Sequence, residues 1–247
     1  MQEQPGQSLD GAPEAALERT LREAEIVAVE QVAVGSNAVF YVRLAGPHGE
    51  LSAIYKPARG ERPLWDFPAG TLHRREVATA VVDRALGWGF TPATVLRHKA
   101  PFGVGSIQAY VPEPDSQVVM DRERMEHRLR GLAALDVVIN NADRKRAHLL
   151  IDPVGELKGI DHGVTFNTEF KLRTVLAELG GSPVPEEWLA SLSALVNDQD
   201  RMRRLRARLR TLIAPAEVQA FELRVGQLLK ARVFPILHPW YGRPFEM

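Results

Sequence analysis

Four side chains of this 247-residue sequence, Lys56, Glu76, Asp143 and Asp161, have the types and the order needed to handle a phosphorylated substrate. Lys56 ends the otherwise apolar, strand-like run Leu51–Lys56. Glu76 follows twenty positions later, in the first turns of a helical stretch that begins near Arg74. A lysine whose rotamer is fixed by a carboxylate is suited to hold the α- and β-phosphates of ATP. Asp143 falls in a polar loop, and eighteen residues later Asp161 opens the turn Asp161-His162-Gly163. In that order one carboxylate would orient an attacking hydroxyl and accept its proton. The other would hold the divalent cation, Mg²⁺ or Mn²⁺, that bridges the phosphates. Each residue alone is ordinary, since strand-end lysines are commonly solvated and both turns are common. Their sequence on successive elements is what points to phosphoryl transfer.

The surrounding elements must place those groups. Ile26–Val34 and Ala38–Leu44 read as strands rich in β-branched residues, and Gly46-Pro47-His48-Gly49 turns the chain into the strand ending at Lys56. The small residues Gly35, Ser36 and Asn37 between the first two strands would let backbone N–H groups approach phosphate. Val77, Ala80, Val81, Arg84 and Ala85 recur at helical spacing before Gly87. Gly105–Val111 reads as another strand, whose Gln108–Val111 segment would be a hinge offering backbone hydrogen bonds to adenine, with Gln108 and Tyr110 as candidate nucleotide-binding residues, and Pro112 and Pro114 mark the lobe boundary. Beyond it the chain reads as mainly helical, over 121–139, 169–179, 186–196, 199–213 and from Pro215. One hairpin interrupts it near 149–160. The expected organisation is α+β and bilobal: an acidic disordered tail over 1–24, a β-rich lobe over 25–112 and a helical lobe over 113–247.

Composition narrows the function classes. Lys plus Arg and Asp plus Glu are 31 each, so a general nucleic-acid binder is not expected. There is no cysteine, which excludes disulfides, thiolate metal sites and cysteine nucleophiles. The opening residues lack an apolar run and no stretch approaches ~18 consecutive apolar residues, so a cytoplasmic protein is expected. Charge is nonetheless uneven. Residues 1–30 carry seven acids and two arginines, and residues 201–232 carry nine basic residues and two glutamates. The helix holding Arg201–Arg210 has Met202, Leu205, Leu209 and Leu212 on one face. It reads as a packing helix with a solvated arginine face, the alternatives being peripheral contact with an anionic membrane, with nucleic acid or with an acidic partner.

The segments Ile54–Pro57, Arg75–Ala78, Val104–Gln108, Asn141–Arg144 and Gly159–Gly163 resemble the phosphatidylinositol 3-/4-kinase superfamily, nearest its type II 4-kinase branch and small bacterial relatives. The resemblance covers roughly residues 26–180. It implies a protein-kinase-like fold, ATP, a divalent metal and a hydroxyl acceptor. Lys56 would bind phosphate, Glu76 would orient Lys56, Asp143 would be catalytic and Asp161 would bind metal. The chain departs from the family where its second metal ligand is Asn, because here His148 follows Asp143 by five residues. Imidazole suits Mn²⁺ or Zn²⁺ better than Mg²⁺; packing against the hairpin is the alternative role. The acceptor (lipid, protein or metabolite) is left open by the short segment after Gly163. A nucleotide-binding pseudokinase and an AMP-transferring enzyme are the competing functions.

Overall fold

The computed structural model describes residues 11–32, 37–46, 49–114 and 121–237. Five strands, β1 (Ile26–Val32), β2 (Val39–Gly46), β3 (Gly49–Pro57), β4 (Thr94–Arg97) and β5 (Gly105–Ala109), form one antiparallel sheet in the order β1-β2-β3-β5-β4. Alternation along β3 puts Ala53 and Tyr55 into a core with Phe40, Val42, Leu44 and Ile107. Lys56 therefore points to the opposite face, level with Ser106 of β5. Gly105 permits this pairing, since a Cβ there would lie 2.4 Å from the Lys56 carbonyl oxygen.

The expectation of a disordered tail through residue 24 is overturned over 11–23, where Gly11–Glu23 forms a helix, α1. Leu21 is fully buried against the sheet. The end of the helix is held from a distance. Arg97 on β4 donates to the carbonyls of Leu21 (3.0 Å) and Ala24 (2.6 Å), satisfying acceptors that a helix terminus leaves open. Neither β4 nor this contact is marked by local composition.

The helix α2 (Leu72–Leu86) crosses behind the sheet and joins the main core, which is built with α3 (Arg122–Ile139), α4 (Glu186–Asn197), α5 (Gln199–Leu209) and α6 (Pro215–Ala231). A two-stranded hairpin, β6 (Leu149–Ile151) and β7 (Leu157–Gly159), follows α3. The helix expected over 169–179 is absent apart from a 3₁₀ turn at Ala177–Leu179. Residues 173–175 run instead beside the loop after α3. Arg144 N–H donates to Arg173 C=O (3.0 Å), Arg173 N–H to Asn141 C=O (3.0 Å) and Val175 N–H to Arg144 C=O (3.1 Å). Backbone pairing to a distant loop has overridden local periodicity. Among the described residues no helix is long and apolar enough to cross a membrane.

Asp83, near the end of α2, turns inward and accepts the Thr91 N–H at 2.7 Å. Burial pushes its pKa up to about 6, against the Thr91 and Phe90 N–H groups, which favour the anion. The folded chain thus holds this proton more tightly than the unfolded chain, so the ionised carboxylate destabilises, and stability falls as pH rises from about 4 to about 6. Asp83→Asn is expected to be better tolerated at about pH 8 than at about pH 5 in urea denaturation, and an equal effect at both would contradict this assignment.

Candidate active site

Three elements meet at one ammonium group. Lys56 Nζ donates to Glu76 Oε1 of α2 at 2.5 Å and to Asp161 Oδ1, just past β7, at 2.8 Å. Glu76 is buried and its second oxygen accepts the His162 N–H at 3.0 Å, which ties α2 to the Asp161-His162-Gly163 turn. Burial disfavours the Lys56 ammonium, but the Asp161 and Glu76 carboxylates outweigh it and raise its pKa above that of a free lysine. Lys56 in turn holds Asp161 well below the usual carboxylate range, against burial. Glu76 is pushed up by burial and by the Asp161 charge, with Lys56 opposing. Asp161 adopts a left-handed backbone (φ 60), a conformation that concentrates at functional sites.

His148 closes a short 3₁₀ turn and brings Nε2 to 3.3 Å from Asp161 Oδ2. Burial lowers its pKa despite the Asp161 charge, favouring neutral imidazole. Asp143 lies in the same loop and pairs with Lys145 at 3.0 Å, and its backbone N–H donates to Asn141 Oδ1 at 3.0 Å. Burial raises the Asp143 pKa, with Lys145 and His148 opposing and Asp161 adding to it. The half-exposed Asp161 and the partly exposed Asp143 thus share one electrostatic environment.

Beneath these groups lies a polar network that sequence reasoning missed. Arg144 is fully buried and donates to both oxygens of buried Asp136 (2.9 Å each), to the Ile160 carbonyl (2.8 Å) and to His162 Nε2 (2.6 Å). Burial and the neighbouring guanidinium keep His162 neutral. Asn141 donates to Asp136 at 2.9 Å. Asn140, left-handed at φ 55, ends α3 and donates to the carbonyls of Asn167 and Glu169. The only sequence signal is a polar Asn-Asn-Ala-Asp-Arg run placed directly after the apolar C-terminal half of a helix.

The remaining sequence candidates fall elsewhere. Gly35 and Ser36 lie outside the described residues. Asn37 uses Oδ1 to accept the Arg62 N–H at 2.7 Å. The Gln108 side chain is buried and donates to Thr94 Oγ1 at 2.8 Å. The N–H groups of Ala109 and Tyr110 are also taken, by the carbonyls of Ala93 and Ser52. Tyr110 is exposed and meets Tyr41 edge-on, with ring centroids 5.3 Å apart.

A small sheet over a helical body, with lysine, glutamate and aspartate meeting between them, is the architecture of kinases. The structure is similar to the Golgi casein kinase, with a TM-score of 0.61 at 16% identity over 88% of this chain and 74% of that one. It is also similar to the Helicobacter pylori proinflammatory kinase CtkA, with a TM-score of 0.54 at 9% identity over 87% and 94% of the two chains. The fold is kinase-like. In sequence, the chain is 34% identical over 251 residues to Protein Rv2133c of Mycobacterium tuberculosis, spanning 87% of this chain and 89% of that protein, and it belongs to the same family. No protein-family model matches it.

Glu76 faces Lys56 because its neighbour is anchored. Buried Arg75 donates to Glu217 at the start of α6 (2.5 Å) and to the Thr165 carbonyl (2.6 Å). Glu217→Ala would leave that guanidinium without its counter-charge and is expected to cost about 3–5 kcal/mol in urea denaturation. Arg75→Met/Glu217→Leu should recover most of the loss. A double variant as unstable as the single one would contradict the ion-pair account.

Proposed function

We propose that this chain is a metal-dependent phosphotransferase that moves the γ-phosphoryl group of ATP to a hydroxyl acceptor. The observation carrying this reading is the Lys56 ammonium held between Glu76 and Asp161 in a kinase-like fold. The Golgi casein kinase has been determined with Mn/ADP bound, which supports nucleotide and divalent metal here. The segmental resemblance to the phosphatidylinositol 3-/4-kinases supports a lipid headgroup as one acceptor class, beside protein hydroxyls and small metabolites.

Lys56 would meet the α- and β-phosphates, with Glu76 fixing its rotamer. Asp161 and His148 are the residues that would hold the metal, which when bound neutralises phosphate charge. Among the described residues no group of three or more His, Asp or Glu side chains is arranged to hold a cation alone. One carboxylate and one neutral imidazole fit an ion that completes its shell with phosphate and water oxygens. Asp143 would orient the acceptor hydroxyl and take its proton as the acceptor oxygen bonds to the γ-phosphorus and the bond to ADP breaks. The raised Asp143 pKa suits a base that must accept a proton.

A second reading, a pseudokinase that binds nucleotide without turnover, is favoured by one residue, His148, standing where the lipid kinases carry Asn. Incubating the purified protein with candidate acceptors and ATP labelled separately at α and γ discriminates the readings. Transfer of the γ label supports phosphotransfer, transfer of the α label indicates AMP transfer, and binding without either indicates the pseudokinase. Lys56→Met and Asp161→Asn should each abolish turnover, whereas Asp143→Asn should keep nucleotide affinity and lower kcat by roughly a hundredfold or more. His148→Asn should move metal preference from Mn²⁺ towards Mg²⁺. An unchanged preference would remove His148 from the metal site.

A further inference from the structure

We propose that the cavity between α1, α2, β4 and α5 is a second binding site, for a small anion carrying two or more phosphate groups. Its volume is about 410 Å³, and Arg22, Arg84, Arg201, Arg204 and Arg208 all line it, with Glu18. Arg84 is matched by Glu14 (2.9 Å) and by Glu18, and Glu18 also meets Arg22 at 3.4 Å. Five guanidinium groups thus face two carboxylates, which leaves an excess of positive charge in a concave space.

The arginines of α5 divide by direction. Those turned from the cavity are neutralised: Arg206 holds Glu222 by two bonds (2.7 and 3.0 Å) and Arg203 pairs with Asp200. Arg201, Arg204 and Arg208 are spaced by three and four residues, so they share a face. Arg201 donates to the Ala85 carbonyl at 2.7 Å. The guanidinium groups of Arg204 and Arg208 have no hydrogen-bond or ion-pair partner among the described residues. Converging guanidinium groups repel one another, and a phosphate both relieves that repulsion and accepts their planar pairs of N–H donors.

The cavity is separate from the candidate active site although both use α2. Val77 and Val81 line the cavity, whereas Glu76, one residue or about 100° around the helix, faces Lys56. An anion held there would contact α1 and α2 on one side and α5 on the other. It would therefore bridge the sheet-bearing part of the molecule to the helical part. Either a free phosphate ester or a phosphorylated lipid headgroup has this chemistry.

The test is isothermal titration of the full chain with pyrophosphate and with inositol 1,4,5-trisphosphate, beside flotation with vesicles containing phosphatidylinositol 4,5-bisphosphate. Arg204→Glu/Arg208→Glu should keep its melting temperature and lose affinity by about tenfold or more, and the milder Arg204→Gln/Arg208→Gln should lose less. Arg203→Glu/Arg210→Glu, an equal charge change on the other faces, should bind within about twofold of wild type. Lys56→Met should also bind normally, which separates this site from the phosphotransfer cleft. Loss in the 204/208 variants for both soluble anions and vesicles assigns a headgroup as source, and loss for soluble anions alone assigns a free ester. Equal binding by all variants, loss in Lys56→Met, or binding of vesicles without soluble anions would overturn the proposal.

Discussion

The position of one ammonium group constrains most of the molecule. Lys56 reaches Glu76 and Asp161 simultaneously, so β3, α2 and the turn after β7 must keep a fixed relation. Two carboxylates near each other repel, and Glu76 is buried where a charge is costly. The lysine makes their proximity tolerable. Phosphate oxygens entering the cleft would compete with these carboxylates for the same cation.

That relation is maintained by salt bridges the cleft itself does not contain. Arg75 fixes the roll of α2 through Glu217, and Arg144 joins Asp136, the Ile160 carbonyl and His162 under the loop that carries Asp143. Both guanidinium groups are buried and have several acceptors, the condition under which an interior charge is tolerated. Removing one partner should therefore disturb the cleft without touching any residue that faces it.

The central cluster was legible in the sequence because each member terminates a recognisable element: a strand end, a helix start, a turn after a hairpin. What was not legible depends on distant partners. The opening helix looks like a polar tail until Arg97, from β4, takes its last carbonyls. The 173–175 segment carries helical periodicity, yet it pairs with Asn141 and Arg144. The Gln108–Val111 hinge was expected to offer backbone N–H groups to adenine, but those of Ala109 and Tyr110 are taken by the carbonyls of Ala93 and Ser52. Nothing local announces that Arg75 and Glu217, 142 positions apart, will meet.

In the proposed function, Lys56 and Asp161 face the phosphates and the metal of one nucleotide. Crystals grown with Mn²⁺ and a non-hydrolysable ATP analogue, measured at the manganese absorption edge, address it directly. An anomalous peak is expected within bonding distance of an Asp161 carboxylate oxygen, with Lys56 Nζ hydrogen-bonded to phosphate oxygens. A nucleotide bound elsewhere, or a manganese peak away from Asp161, would contradict it.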